Sequence, residues 1–196
     1  MKKTLITFFM LLSVMTVFSQ GSYREFHKKS SSVNKTGMYV LGSWAIANMA
    51  TGAMGWSRNT GSDKYFHQMN FFWNTVNLGI AGFSMYSFSQ LNPWMLSNQE
   101  IIERHMRIQN LYLINAGLDI AYLGTGFLLR HLSGRNENRA DQLMGYGNSV
   151  ILQGGFLFLF DGVMYAIQKV SLSNYIGNLD FKMLSDGAIL SYTYSF

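Results

Sequence analysis

The chain has 196 residues, the length of one ordinary domain. Only 13% of its residues are charged, about half the usual soluble share, while 15% are aromatic and 19 are glycine, a composition that points toward a membrane. The absence of cysteine excludes disulfides, thiol catalysis and Cys-ligated metal, and the net charge of +5 forms no nucleic-acid-like stripe, because much of it sits in Lys2, Lys3 and residues 24–35.

Residues 1–19 (MKKTLITFFMLLSVMTVFS) have a basic start, an apolar run from Leu5 to Val17, and small residues at Val17 and Ser19. This pattern predicts a secretory signal cut before Gln20, with an uncleaved anchor helix as the alternative. Residues 20–36 are polar, basic and serine-rich, which fits a linker at a membrane edge or the start of an amphipathic helix. Residues 37–56 carry no charge and are long enough, as a helix, to cross a hydrocarbon core of ~30 Å. Ser43, Ala47, Thr51 and Gly55 recur every fourth residue there. Such a ridge of small side chains allows close approach of another helix or self-association. Residues 57–63 (SRNTGSD) read as a turn.

Residues 65–84 (YFHQMNFFWNTVNLGIAGFS) are the most informative stretch. A helix from residue 63 or 64 to about residue 90 puts His67, Asn70, Asn74, Asn77, Ala81 and Ser84 on one stripe of an otherwise apolar surface. Asn92-Pro93 ends it. Ser97 and Glu100 then match a capping box, opening a long helix whose first turns are charged. Residues 108–132 are apolar enough to span, with Tyr112, Asn115, Asp119, Tyr122, Gly126 and Arg130 on one face. After a polar connection at 133–141, residues 143–169 form a fourth apolar segment. In it Asp161, Tyr165 and Gln168 share a face with Val150 and Gly154. Finally, residues 178–196 alternate around Asp186-Gly187, the pattern of a hairpin with one apolar face.

These elements predict an all-α protein: a four-helix transmembrane bundle (37–170), preceded by a signal peptide (1–19) and a basic linker (20–36). A short hairpin-like tail (171–196) follows. A polar seam is expected between the helices, built from His67, Asn70, Asn74, Asn77, Asn115, Asp119, Asp161 and Gln168. Ionisable groups inside spans usually face the bundle interior and mark a site for a proton, an ion or a small ligand. Amides there also serve simply to hold helices together. An assembly protein of the cell envelope, with the tail as a docking strand, is therefore the second reading. Catalytic motifs for hydrolases, zinc peptidases and nucleotide binding are missing, and no cofactor or metal-ligand pattern stands out. The expected partner is the lipid bilayer rather than a nucleic acid. An eight-stranded outer-membrane barrel is the rival architecture, on the strength of the tail ILSYTYSF and the glycine and aromatic content. Adjacent apolar residues at 151–160 (ILQGGFLFLF) argue against it.

Three runs carry a resemblance: YFHQMNFFWNTVNLGIAG (65–82), NAGLDIAYLGTGFLL (115–129) and GYGNSVILQGGFLFLFDGVMY (145–165). They resemble an uncharacterised bacterial family of small four-span membrane proteins common in Bacteroidota. The resemblance covers about residues 37–169 and implies helical spans and an envelope location, without an activity. His67, Asn70, Asn74, Asn77, Asn115, Asp119, Gln153 and Asp161 lie within these runs. The inner membrane with an exported N-terminus is the expected location, the outer membrane the alternative. Charge does not agree with a cleaved signal: it would leave Arg24, Lys28, Lys29, Arg104 and Arg107 outside, the reverse of the positive-inside bias.

Overall fold

The computed structural model describes the backbone of residues 2–185 and the side-chain surroundings of residues 24–175 apart from those of 93 and 174. Four helices account for nearly all of it: α1 (Lys2–Arg58), α2 (Gly61–Ser89), α3 (Asn98–Ser133) and α4 (Ala140–Ser185). No strand occurs among the described residues, so the barrel alternative finds no support. Apolar side chains at adjacent positions, as in 151–160, need the all-round coverage of a helix rather than the two faces of a strand.

The helices run up, down, up and down. The turn between α1 and α2 is tight and uses Gly61 at φ 59°, a left-handed conformation that costs glycine little. It lies beside the start of α4, where Asp141 approaches Gly61. At the other end Arg24 lies over the Trp94 ring, 4.3 Å from its centroid, beside the α2–α3 connection. The expected capping box opens α3. The Glu100 backbone N–H donates to Ser97 Oγ at 3.2 Å, and Glu100 Oε2 accepts from the Ser97 backbone N–H at 2.7 Å.

Extensive interfaces join α3 to α4, α1 to α2 and α2 to α4, whereas α2 and α3 have no packed interface. Buried positions recur every seventh residue: His27, Asn34, Leu41, Asn48 and Gly55 in α1; His105, Tyr112, Asp119, Gly126 and Ser133 in α3; Gly147, Gly154, Asp161, Gln168 and Tyr175 in α4. That is the spacing of left-handed helical bundles. The residues filling it are mostly polar or small, whereas a water-soluble bundle would place leucine there.

Of the two readings of residues 20–36, the structure agrees with the amphipathic helix rather than the linker: they belong to α1, where Phe26, His27, Ser30 and Asn34 are buried. One expectation changes. Residues 178–185, the expected first arm of a hairpin, continue α4 as helix. The sequence NLDFKMLS contains no β-branched residue, and its Leu, Met and Lys favour helix, which outweighs three alternating apolar positions. The remainder of the expected hairpin and its Asp186-Gly187 turn lie outside the described residues. The segment read as a signal forms, from Lys2, the first part of α1.

Candidate functional site: a carboxyl pair between two amide layers

Three polar layers cross the bundle. The first joins α1, α3 and α4. Gln168 Nε2 donates to Asn34 Oδ1 at 2.8 Å, and the Tyr112 hydroxyl donates to the same oxygen at 3.2 Å. His105 Nε2 lies 3.0 Å from the Gln168 main-chain carbonyl and Nδ1 lies 2.8 Å from Ser30 Oγ. A carbonyl only accepts, so Nε2 carries the ring proton, while the Ser30 hydroxyl beside Nδ1 donates to Gln168 Oε1 at 3.1 Å. His27 sits next to this layer. Burial, and secondarily the Arg104 charge, holds it below the usual imidazole value.

The second layer joins α1, α2 and α4 near the opposite end. Gln153 Nε2 donates to Asn70 Oδ1 at 2.8 Å and to Asn48 Oδ1 at 3.4 Å, while Trp44 Nε1 donates to Gln153 Oε1 at 2.9 Å. Ser149 Oγ adds a second donor to Asn70 Oδ1 at 2.8 Å. Asn74 Nδ2 donates to the Asn70 carbonyl, and Asn77 Nδ2 donates to Asn74 Oδ1 at 3.3 Å, extending the amides toward the bundle centre. Every amide here is buried, and each finds a partner within the seam.

Between these layers lie Asp119 on α3 and Asp161 on α4, both buried. Their carboxyl groups are within hydrogen-bonding reach of each other. Beyond that mutual contact, Asp119 Oδ2 is buried with no hydrogen-bond partner among the described residues, although Asp119 is only 2% exposed. The pair lines a cavity of about 400 Å³ to which all four helices contribute. Its remaining walls are largely aromatic and aliphatic, with Trp73 and Asn77 from α2, Tyr112, Asn115 and Tyr122 from α3, and Phe160 from α4. The cavity lies in the cleft between α2 and α3, which meet there through the Trp73 and Tyr122 rings, edge to face at 4.9 Å.

The predicted polar seam therefore divides. Asn70, Asn74 and Asn77 enter one amide network, and Gln168 enters the other. Asp119 and Asp161 come together at the cavity, and Asn115 lines the cavity while remaining solvent-accessible. His67 joins none of these groups. It is half-buried, and its ring fills the space over Gly55 where α1 and α2 cross. Of the expected small-residue ridge, Ser43, Ala47 and Thr51 stay exposed, and α1 instead approaches α2 closely through Gly52 and Gly55. A Cβ on Gly52 would lie 2.9 Å from the His67 carbonyl oxygen. Ser30, Asn34, His105 and Ser149 escape the sequence reading. The seven-residue spacing from His27 to Gly55 and from His105 to Ser133 is the signal that reaches Asn34 and His105.

No curated protein and no solved structure matches the chain. Residues 40–162 match a family model, a stretch containing the carboxyl pair and the Gln153 layer but not Asn34 or Gln168. The chain belongs to the family of unknown function DUF6992.

Proposed function

We propose that this chain is an integral membrane protein whose four helices cross the bilayer, with Asp119 and Asp161 forming an intramembrane site for a proton or a cationic group. The observation that carries the reading is an inverted distribution of polarity. The interior holds Asn34, Asn48, Asn70, Asn74, Asn77, Gln153 and Gln168, while Phe83 is 74% exposed, Leu159 68% and Val76 62%. A protein folding in water buries such side chains and leaves amides outside. In hydrocarbon the preference reverses, because every buried polar group must be satisfied inside the bundle.

Two helical segments, Asn98–Ser133 and Glu137–Ser173, are long and apolar enough to cross a membrane. Only 17% and 33% of their most apolar windows are buried inside the molecule, whereas the core helix of a soluble protein is mostly buried. The first two helices are less apolar because Asn48 and the stripe Asn70, Asn74, Asn77 dilute them, yet those amides all point inward. Apart from the Asp119/Asp161 pair, the charged side chains of residues 24–175 gather toward the two ends of the bundle.

A carboxylate at the centre of a spanning helix costs roughly 2.5–3.5 kcal/mol on insertion scales. Helix cohesion does not require that expense, since the amides already supply it. The cavity beside Asp119 supports a binding role. Cohesion alone is the second reading, favoured by the continuity of the two amide networks.

The test is fractionation of the full chain followed by titration. The protein should stay in the membrane pellet through alkaline carbonate and require detergent for release. The Asp119→Asn and Asp161→Asn variants should fold in detergent but lose any dependence of thermal midpoint on pH or cation that the unsubstituted chain shows. A monomer soluble without detergent would overturn the membrane reading. An unsubstituted chain insensitive to proton and cation alike would leave cohesion alone.

A further inference from the structure

The cavity beside the carboxyl pair discriminates among occupants. Its volume of about 400 Å³ falls in the range of small-molecule sites and far exceeds a bare ion. Bare inorganic cations need cages of several oxygens, as the six to eight around calcium show. Here the amides of Asn77 and Asn115 join the carboxyl pair, and the rings of Trp73, Tyr112, Tyr122 and Phe160 make up much of the remaining wall. Aromatic faces attract organic ammonium groups, and an N–H donor is what the unpartnered Asp119 Oδ2 lacks. The charged side chains lining the cavity are both acidic, the complement of a cation. The cleft between α2 and α3 gives the route, because no packed interface closes it. Val76, Ile80 and Leu118, all exposed, flank its mouth, so an entering molecule meets apolar surface first.

We propose that this cavity binds an amphiphilic organic monocation, an alkyl- or arylalkyl-ammonium, which enters sideways between α2 and α3 and sets its nitrogen against Asp119 Oδ2. The proposal rests on the membrane reading above and names the ligand class of that same site. The ammonium N–H groups donate to Asp119, and the hydrocarbon part covers the rings of Trp73 and Tyr122. Asp161 holds the Asp119 carboxyl in place as a positioning residue. A neutral molecule of the same shape leaves Oδ2 unpaired and forfeits that discrimination.

The full chain in nanodiscs of zwitterionic lipid is titrated calorimetrically with 2-phenylethylammonium, and with 2-phenylethanol as its uncharged counterpart. The amine should bind saturably and the alcohol at least about tenfold more weakly, as for a buried charge-assisted hydrogen bond. Asp119→Asn should weaken the amine by at least about tenfold, Trp73→Leu should weaken it measurably, and Asp141→Asn should leave it unchanged. Because the chain has no cysteine, Asn115→Cys supplies a readout independent of the Asp119 variant's folding. The amine should slow maleimide labelling at that cysteine and not at Asn136→Cys, exposed in the α3–α4 connection. Equal binding of amine and alcohol, an indifferent Asp119→Asn, or unprotected Asn115→Cys would overturn the proposal. Uptake of a proton by the carboxyl pair with no amine binding would overturn it and leave the membrane reading standing. Solubility without detergent would overturn that reading itself and the sideways entry with it.

Discussion

Gln153 uses its whole amide: the carbonyl accepts from Trp44 on α1, and the NH₂ group donates to Asn70 on α2 and Asn48 on α1. One side chain on α4 thus ties three helices together from a fully buried position. Gln153→Leu keeps the volume roughly constant but leaves the Trp44 indole N–H and Asn48 Oδ1 without this partner. The expected cost is about 1–3 kcal/mol, that of orphaned buried polar groups, and it exceeds the mean of about 0.6 kcal/mol for a single hydrogen bond between membrane helices. Thr75→Val is the control, because the exposed Thr75 hydroxyl donates only to Phe71 on its own helix. Reversible unfolding in mixed micelles should separate the two, with Thr75→Val within about 0.5 kcal/mol of the unsubstituted chain.

At the scale of elements, the closest approaches are made by backbone. A Cβ on Gly126 would lie 2.6 Å from Ile151 Cγ1 and 2.9 Å from the Gly147 carbonyl oxygen. One on Gly147 would lie 2.7 Å from the Gly126 carbonyl oxygen and 2.8 Å from Arg130 Cγ. The two glycines face each other where α3 crosses α4, and on the same helix Gly145 presses against the Ser62 carbonyl of α2. Gly124, two residues before Gly126, faces open space. Gly126→Ala should therefore force α3 and α4 apart and cost about 1–3 kcal/mol, the usual range for overpacking. Gly124→Ala should be neutral or stabilise by up to about 1 kcal/mol through helix propensity. Thermal midpoints of the two variants in one detergent give the comparison, and similar values would show that the crossing yields easily.

Much of this was legible in the sequence. The stripe Asn70, Asn74, Asn77, Ala81 is buried as its three- and four-residue spacing requires. The capping box places the start of α3, and Asp119 and Asp161 stand out as lone carboxyls in apolar segments. Other features were hidden by composition. Residues 24–35 look like a solvated basic linker because Lys28, Lys29 and Lys35 point outward, and this conceals Ser30 and Asn34 on the buried side of the same turns. The seven-residue repeat escapes notice because heptads are recognised by leucine, and here the repeat is carried by asparagine, aspartate, histidine and glycine. Which amides would meet across helices depended on the register between antiparallel helices, and sequence spacing along one helix does not contain it.

At the scale of the whole molecule, the two helical hairpins fix which connections share a side. Gly61 meets Asp141, so the α1–α2 turn and the α3–α4 connection lie at one end of the bundle. Arg24 meets Trp94, so the α2–α3 connection lies at the other, with the start of the described side chains. If all four helices cross the bilayer, these ends face opposite compartments and the exposed apolar belt between them faces lipid. Single cysteines in the natively cysteine-free chain read this out directly. Asn59→Cys and Asn136→Cys, both at exposed positions, should be labelled together by a membrane-impermeant maleimide applied from one side of sealed vesicles. Asn92→Cys should be labelled only from the opposite side. Phe83→Cys and Leu159→Cys, on the belt, should resist from both sides until detergent is added, because a thiol in hydrocarbon neither ionises nor meets the reagent. The stringent comparison is between the hairpins. If α3 and α4 alone crossed and α1 and α2 lay on the surface, residues 92 and 136 would still separate, but residues 59 and 92 would be labelled from the same side. Opposite accessibility of 59 and 92 is therefore the outcome that four crossings require and two crossings forbid.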